Sequence, residues 1–196
     1  MSTTQPIKSK DALEKFKEYY LLEKPNLRNN TLIILGLNTA LRISDILKLR
    51  WENIYDDKND LVKKHLEVIE KKTGKQNMIA LNQSVCNALM EYKNFVFHDK
   101  KYNKNQYLFL SQKGENEPIC RSQAYRIVKN AAESTGLYNH ISCHSMRKTF
   151  GYHAWKQGTP PALLMDIYNH SSFKITKRYL CIEQDEKDEV YLKISL

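Results

Sequence analysis

Long apolar runs are missing from this chain. No stretch reaches the 18 or so apolar residues of a membrane-spanning helix, and the first ten residues lack the apolar core of a secretory leader. These absences argue against a membrane partner and point to a reducing cytoplasm. Cysteine is sparse and scattered. Cys86, Cys120, Cys143 and Cys181 form no C-x-x-C pair, so a thiolate zinc site has little support and the four read as small buried apolar residues. No internal repeat, low-complexity run or Gly/Ser linker divides the chain. Its 196 residues fit one domain, which can bury about 70% of the unfolded surface without a disulfide or metal staple.

Negative charge is also short. There are 31 Lys+Arg against 22 Asp+Glu, giving a net charge of +9 and a pI near 9.3. That excess suits a polyanion, because Lys and Arg that neutralise phosphates supply most non-specific nucleic-acid affinity. A merely soluble basic protein is the alternative.

What is present is mostly helical periodicity around one small antiparallel sheet, an α+β chain dominated by α-helix. Residues 1–9 are polar and read as a flexible tail. Helices are expected over 10–23, over 29–40 (apolar all round, hence buried), over 43–50 with Ser44 as N-cap, over 84–97, and over 121–134 with Gly136 ending it. Further helices are expected over 144–156, 162–168 and 172–182. Residues 65–69 and 78–81 are short and partly β-branched, with Lys71-Lys72-Thr73-Gly74-Lys75 between them, which reads as a hairpin with a basic tip. Val190, Leu192, Ile194 and Leu196 alternate at period two, unlike a helix face.

Chemistry gathers in four short boxes. They are Ala40-Leu41-Arg42-Ile43-Ser44-Asp45, His144-Ser145-Met146-Arg147, Tyr168-Asn169-His170-Ser171-Ser172, and Tyr179, nine residues after His170. Each alone has a bland reading: a helix-flanking Arg, an ordinary ion pair, a capping or packed His, one of 12 mostly structural tyrosines. Tyr191 is the rival tyrosine, but no His box precedes it at that spacing. His140 and His153 read as structural, since His140 looks like part of a loop rather than a metal ligand paired with His144.

In this order and at these intervals the boxes resemble the tyrosine recombinase (phage integrase) family, with Asn169 where the family has Gly. The resemblance implies that family's catalytic-domain fold. It implies a site-specific DNA recombinase or integrase that cleaves and rejoins double-stranded DNA through a 3′-phosphotyrosyl intermediate, with no metal, ATP or other cofactor. It implies Arg42 and Arg147 as a phosphate clamp and Tyr179 as the nucleophile. His144 would move a proton or bind phosphate, His170 would donate to the scissile phosphate, and a hairpin lysine would protonate the leaving oxygen. Lys72 is the choice for that acid, with Lys71 and Lys75 as rivals, and Asp45 would support Arg42. A homo-oligomer is implied, a tetramer when assembled on DNA. Guanidinium groups suit the clamp, being planar, always charged and able to make paired bonds to phosphate. A free phenol titrates near pH 10, so Tyr179 needs help to ionise.

The resulting domain reading is a tail over 1–9, a catalytic domain over 10–186 and a C-terminal tail over 187–196. That tail would dock on a neighbouring protomer or on its own body. Many family members carry a separate N-terminal DNA-gripping domain. This chain would be either a catalytic piece or a minimal recombinase resembling the fimbrial invertases, and Met1 favours the second. A non-catalytic DNA-binding regulator on the same scaffold and a type IB topoisomerase are the competing readings.

Overall fold

Ser9 and Asn26 each open a helix by capping it, and these two helices seed the main core. A computed structural model of the chain describes residues 4–69, 74, 76–138 and 140–195. The Ser9 side chain accepts from the Ala12 N–H at the start of α1 (Lys10–Leu22), and the Asn26 side chain from the Asn29 N–H at the start of α2 (Leu27–Asn38). Every residue from 29 to 37 of α2 is buried, as its all-round apolar pattern predicts. Its interior polar groups are satisfied: Asn30 Nδ2 donates to Lys17 O at 3.1 Å and Thr31 Oγ1 to Leu27 O at 2.8 Å.

Of the helix expected over 43–50 only one turn forms, α3 (Ile43–Ile46), and a separate one-turn helix, α4 (Trp51–Ile54), follows it. Arg42, not Ser44, is the N-cap residue of α3. The bonds Lys48 N–H to Asp45 O and Leu49 N–H to Ile46 O are tight i→i+3 contacts that end the turn. Arg50 then pairs with Tyr107 in an isolated bridge, and a second bridge joins Leu110 to Pro118.

Two small antiparallel ladders follow rather than one: β1 (Tyr55–Asp56) with β2 (Leu61–Val62), and β3 (His65–Ile69) with β4 (Gln76–Ala80). The second is the expected hairpin, in register from His65 opposite Ala80 to Ile69 opposite Gln76. Leu66 and Val68 face the core while their neighbours face out, as a period of two demands. Lys71, Lys72 and Lys75 lie outside the described residues. Then come α5 (Gln83–Val96) and α6 (Arg121–Ser134), where Tyr20 Oη of α1 donates to Ile127 O at 3.0 Å.

The C-terminal half is α7 (Cys143–Lys156), α8 (Pro161–Tyr168), α9 (Phe173–Leu180) and α10 (Glu183–Lys193). Pro161 takes the first position of α8, where its missing N–H costs nothing. α10 corrects the period-two reading of the C-terminus. Its run is rich in Glu and Lys, both good helix formers, and among the described residues no strand pairs with it. Charge pairs hold it to the body: Lys8–Asp185, Lys156–Glu189 and Lys177–Glu186. Val190, Tyr191, Leu192 and Ile194 remain exposed.

The expected loose N-terminal tail is, over residues 4–9, a docked strap. Ile7 is only 2% exposed, its N–H donates to Thr149 Oγ1 at 2.8 Å, and its carbonyl meets His153 Nε2 at 2.9 Å. One buried side chain with both backbone groups satisfied outweighs the polar composition around it. Among the described residues no helix is long and apolar enough to cross a membrane.

Candidate active site

A second, smaller core of Ala40, Tyr152, Leu164, Tyr168, Leu180 and Ile182 forms the floor of the candidate site. Gly151 of α7 lets it close. A Cβ there would lie 2.5 Å from the Tyr168 hydroxyl and 2.6 Å from a Leu180 methyl carbon, distances no side chain tolerates. Tyr168 is therefore pressed against α7, and its hydroxyl donates to Arg147 O at 2.7 Å.

Arg147 is 4% exposed and spreads its guanidinium over the Tyr168 ring, 4.8 Å from the centroid. Its Nη1 donates to the Ala40 carbonyl. Ala40 holds φ +53, in the left-handed region, two residues before Arg42. The fork of one arginine thus secures the turn that presents the other.

Tyr179 lies half-buried in the last turn of α9. Its ring centroid is 5.3 Å from those of both Tyr168 and His170, and the last two stack at 5.6 Å. Burial pushes the Tyr179 phenol above its ordinary range. The Arg147 charge, a hydrogen bond from Arg147 and then the Arg42 charge pull the other way, while Cys181 adds a further push upward. The phenol oxygen is within hydrogen-bond reach of one guanidinium and in the field of the other.

His170 reaches this cluster through a tight turn. Asn169 caps α8 at φ +53, ψ +52, with its N–H on Asp166 O at 3.0 Å and the His170 N–H on Met165 O at 2.9 Å. Asn is among the few non-glycine residues that tolerate this region, so Asn169 serves where the family pattern has Gly. His170 Nδ1 meets the hydroxyl of buried Thr176 at 3.1 Å, which fixes the ring and biases its tautomer. His144 is exposed in the first turn of α7, three residues before Arg147 and so on the same side of the helix. Ser142 caps that helix, accepting from the His144 N–H at 3.3 Å, while Ser145 Oγ accepts from the Ser142 N–H at 3.1 Å.

Arg42, Arg147, His170 and Tyr179 are thus brought together, and His144 sits one turn from Arg147. Asp45 is buried in α3, three residues beyond Arg42. Lys72 lies outside the described residues. Sequence reasoning placed Tyr168 in a box but gave it no role, and it missed Lys148. Lys148 is 3% exposed, with Nζ 5.3 Å from the Tyr179 ring centroid. The usable signal was the adjacent pair Arg147-Lys148 in mid-helix between Met146 and Phe150, a place where two cations do not both reach water. Among the described residues no cluster of three or more His, Cys, Asp or Glu could hold a metal ion. A phenol, two guanidinium forks and an imidazole in one place suit a phosphodiester, since cations and an imidazole can bind non-bridging oxygens and a phenol can attack phosphorus.

Residues 8–186 match the profile of the Phage integrase family. Over 191 residues the chain is 40% identical to a Bacillus subtilis (strain 168) protein described as "Probable integrase/recombinase YoeC", covering 97% of each. It is 28% identical over 166 residues to tyrosine recombinase XerD of Corynebacterium glutamicum, covering 85% of this chain and 52% of that protein. The crystal structure of XerH site-specific recombinase bound to a palindromic difH substrate superposes with a TM-score of 0.73 at 20% identity, over 96% of this chain and 52% of that one. That likeness carries the fold, the recombinase catalytic domain. The chain therefore spans nearly all of YoeC and about half the length of XerD and XerH. With its boxes in order and the profile running over most of its length, the chain belongs to the phage integrase family.

Proposed function

We propose that this chain is a site-specific DNA recombinase that cleaves and rejoins strands of double-stranded DNA through a 3′-phosphotyrosyl intermediate. The observation that carries this reading is the packing of Tyr179 against His170 and Tyr168, with Arg147 spread over the Tyr168 ring and holding the Ala40 carbonyl two residues before Arg42. In the first step the Tyr179 oxygen bonds to phosphorus and gives up its proton, while the bond to the 5′-oxygen breaks and that oxygen takes a proton. Arg42, Arg147 and His170 hold the non-bridging oxygens, His144 assists in proton transfer or phosphate binding, and Lys72 is assigned as the acid. Rejoining is the reverse, with a 5′-hydroxyl from another strand as the attacker. One phosphodiester replaces another, so neither step needs ATP or a cofactor. Burial disfavours the ionised phenol, and the guanidinium groups favour it.

The net charge of +9 favours the polyanionic substrate. Exchange between two duplexes needs two cleavages in each, which a homotetramer on DNA supplies. Exposed Val190, Tyr191, Leu192 and Ile194 support docking of 187–196 on a neighbouring protomer, with 10–186 as the catalytic domain. The protein would work in the cytoplasm, where the DNA is.

A pool of nicked suicide duplexes with randomised cores, incubated in EDTA and run on a denaturing gel, tests the reading. A covalent adduct that disappears in Tyr179→Phe is expected. Gel retardation without any adduct would mark a non-catalytic binder. Relaxation without strand exchange between duplexes would mark a topoisomerase. Lys72→Ala should slow cleavage about a hundredfold or more, yet leave a 5′-thio substrate nearly unaffected because a thiolate leaves without a proton. Equal slowing on both substrates would reject Lys72 as the acid.

A further inference from the structure

Lys148 is the most costly side chain in this region to bury, since an ammonium out of water needs full compensation. Its described partners all lie outside its own helix. Nζ donates to Thr4 O of the strap at 2.5 Å and to Cys181 Sγ at 3.7 Å, and it lies over the Tyr179 ring at 5.3 Å. The last contact is within cation–π range. The Cys181 thiol in turn donates to Tyr179 O at 3.8 Å. Cys181 holds φ +59 at the end of α9, so α9 stops at this contact. Lys148 therefore touches the nucleophile's ring directly and its backbone through one thiol.

The strap fixes the other end. Ile7 pins it to Thr149 and His153 of α7, and Gln5 N–H donates to His140 O at 3.3 Å. Lys8 carries the same strap to Asp185 of α10 at 2.8 Å. A methionine would fill the Lys148 site without any charge to desolvate. The cation is explained by what it joins: strap, α9 and Tyr179.

We propose that Lys148 is a positioning residue for Tyr179, held in place by the N-terminal strap. This rests on Tyr179 being the nucleophile, as argued above. It goes further in making residues 4–8 part of the positioning apparatus. Lys148 acts on where the ring sits rather than on the reacting phosphate, so it governs the rate of attack and not DNA affinity.

Three proteins test this: Lys148→Met, a chain lacking residues 1–5, and the two changes combined. Removing 1–5 deletes the Thr4 carbonyl, and with it the Gln5–His140 bond, and leaves Ile7 to dock. Each single change should slow adduct formation on the suicide duplex by roughly ten- to hundredfold, with DNA affinity within about twofold. The combined protein should be no slower than the worse single one, because both break the same tie. Amide exchange in α9 should quicken in both single variants, while α5 keeps its protection. Multiplicative slowing in the combined protein, or unchanged α9 exchange, would overturn the proposal. If the parent chain forms no adduct at all, the recombinase reading fails, and the α9 exchange still decides whether strap and Lys148 hold that helix.

Discussion

The two cores of this molecule are made of different things. Around α2, the large one buries Leu32, Ile33, Leu35, Phe16, Leu66 and Leu89, aliphatic and aromatic groups with little to hydrogen-bond. The small one beneath Tyr179 is crowded with polar demands: a buried guanidinium on a backbone carbonyl, a tyrosine hydroxyl on another, and a buried ammonium. Apolar burial contributes stability in proportion to area, whereas a buried polar group contributes only if every partner stays in place. The large core therefore sets global stability, and the small one sets geometry and opens first. Of the five described non-glycine residues at positive φ, Ala40, Asn169 and Cys181 lie around the small core, while Asp60 and His140 lie elsewhere.

The sharpest way to break this contrast is at Arg147. Arg147→Ala should lower the cleavage rate about a hundredfold or more, since it removes a preorganised donor and leaves the Ala40 carbonyl without that bond. Arg147→Lys should recover little of the loss, because an ammonium cannot hold Ala40 O and face Tyr179 together. Full activity of the Lys variant would show that charge, not the fork, is what matters.

Next in size, Leu89→Ala should cost about 2–5 kcal/mol of global stability in urea unfolding, with protection falling everywhere. Gly151→Ala should cost about 1–3 kcal/mol by overpacking against Tyr168 and Leu180. Its effect on amide exchange should stay in α8 and α9 and leave α2 and α5 intact. Equal loosening of α2 would mean that the cores are one cooperative unit.

Alkali should strike both cores. Burial pushes the phenols of Tyr20 and Tyr92 in the large core, and of Tyr152 in the small one, up to about 12. The folded state holds these protons to higher pH than the unfolded chain does. Stability should thus be complete below the ordinary value of 10.0 and fall as pH rises from there toward 12. Urea midpoints across that window check the sign, and Tyr92→Phe should flatten the decline. Smallest of all, Asn169→Gly should leave cleavage unchanged and stability within about 0.5 kcal/mol, whereas Asn169→Val should cost about 1–2 kcal/mol for forcing a β-branched residue to positive φ.

Most of the helical frame was legible because its signals are local. The buried run of α2 is written in nine consecutive residues. The caps Ser9, Asn26 and Ser172 are just as local, yet the one cap expected, Ser44, is not among them. The site boxes were legible for another reason: order and spacing survive where packing cannot be read. What stayed hidden depends on partners far along the chain. Ile7 looks like one apolar residue in a polar tail until Thr149 and His153 are beside it. Lys148 looks like a surface cation until Thr4, Cys181 and Tyr179 surround it. The alternation of Val190, Leu192 and Ile194 mimics a strand, yet a strand needs an edge to pair with, and the local preference for helix prevails.

The central claim concerns one oxygen among 12 tyrosines. Trapping the covalent adduct on a suicide duplex, digesting protein and DNA, and sequencing the modified peptide by mass spectrometry tests it most directly. The account predicts a 3′-nucleotide remnant on the peptide that contains Tyr179. A remnant on Tyr191, or on any other tyrosine, would contradict it.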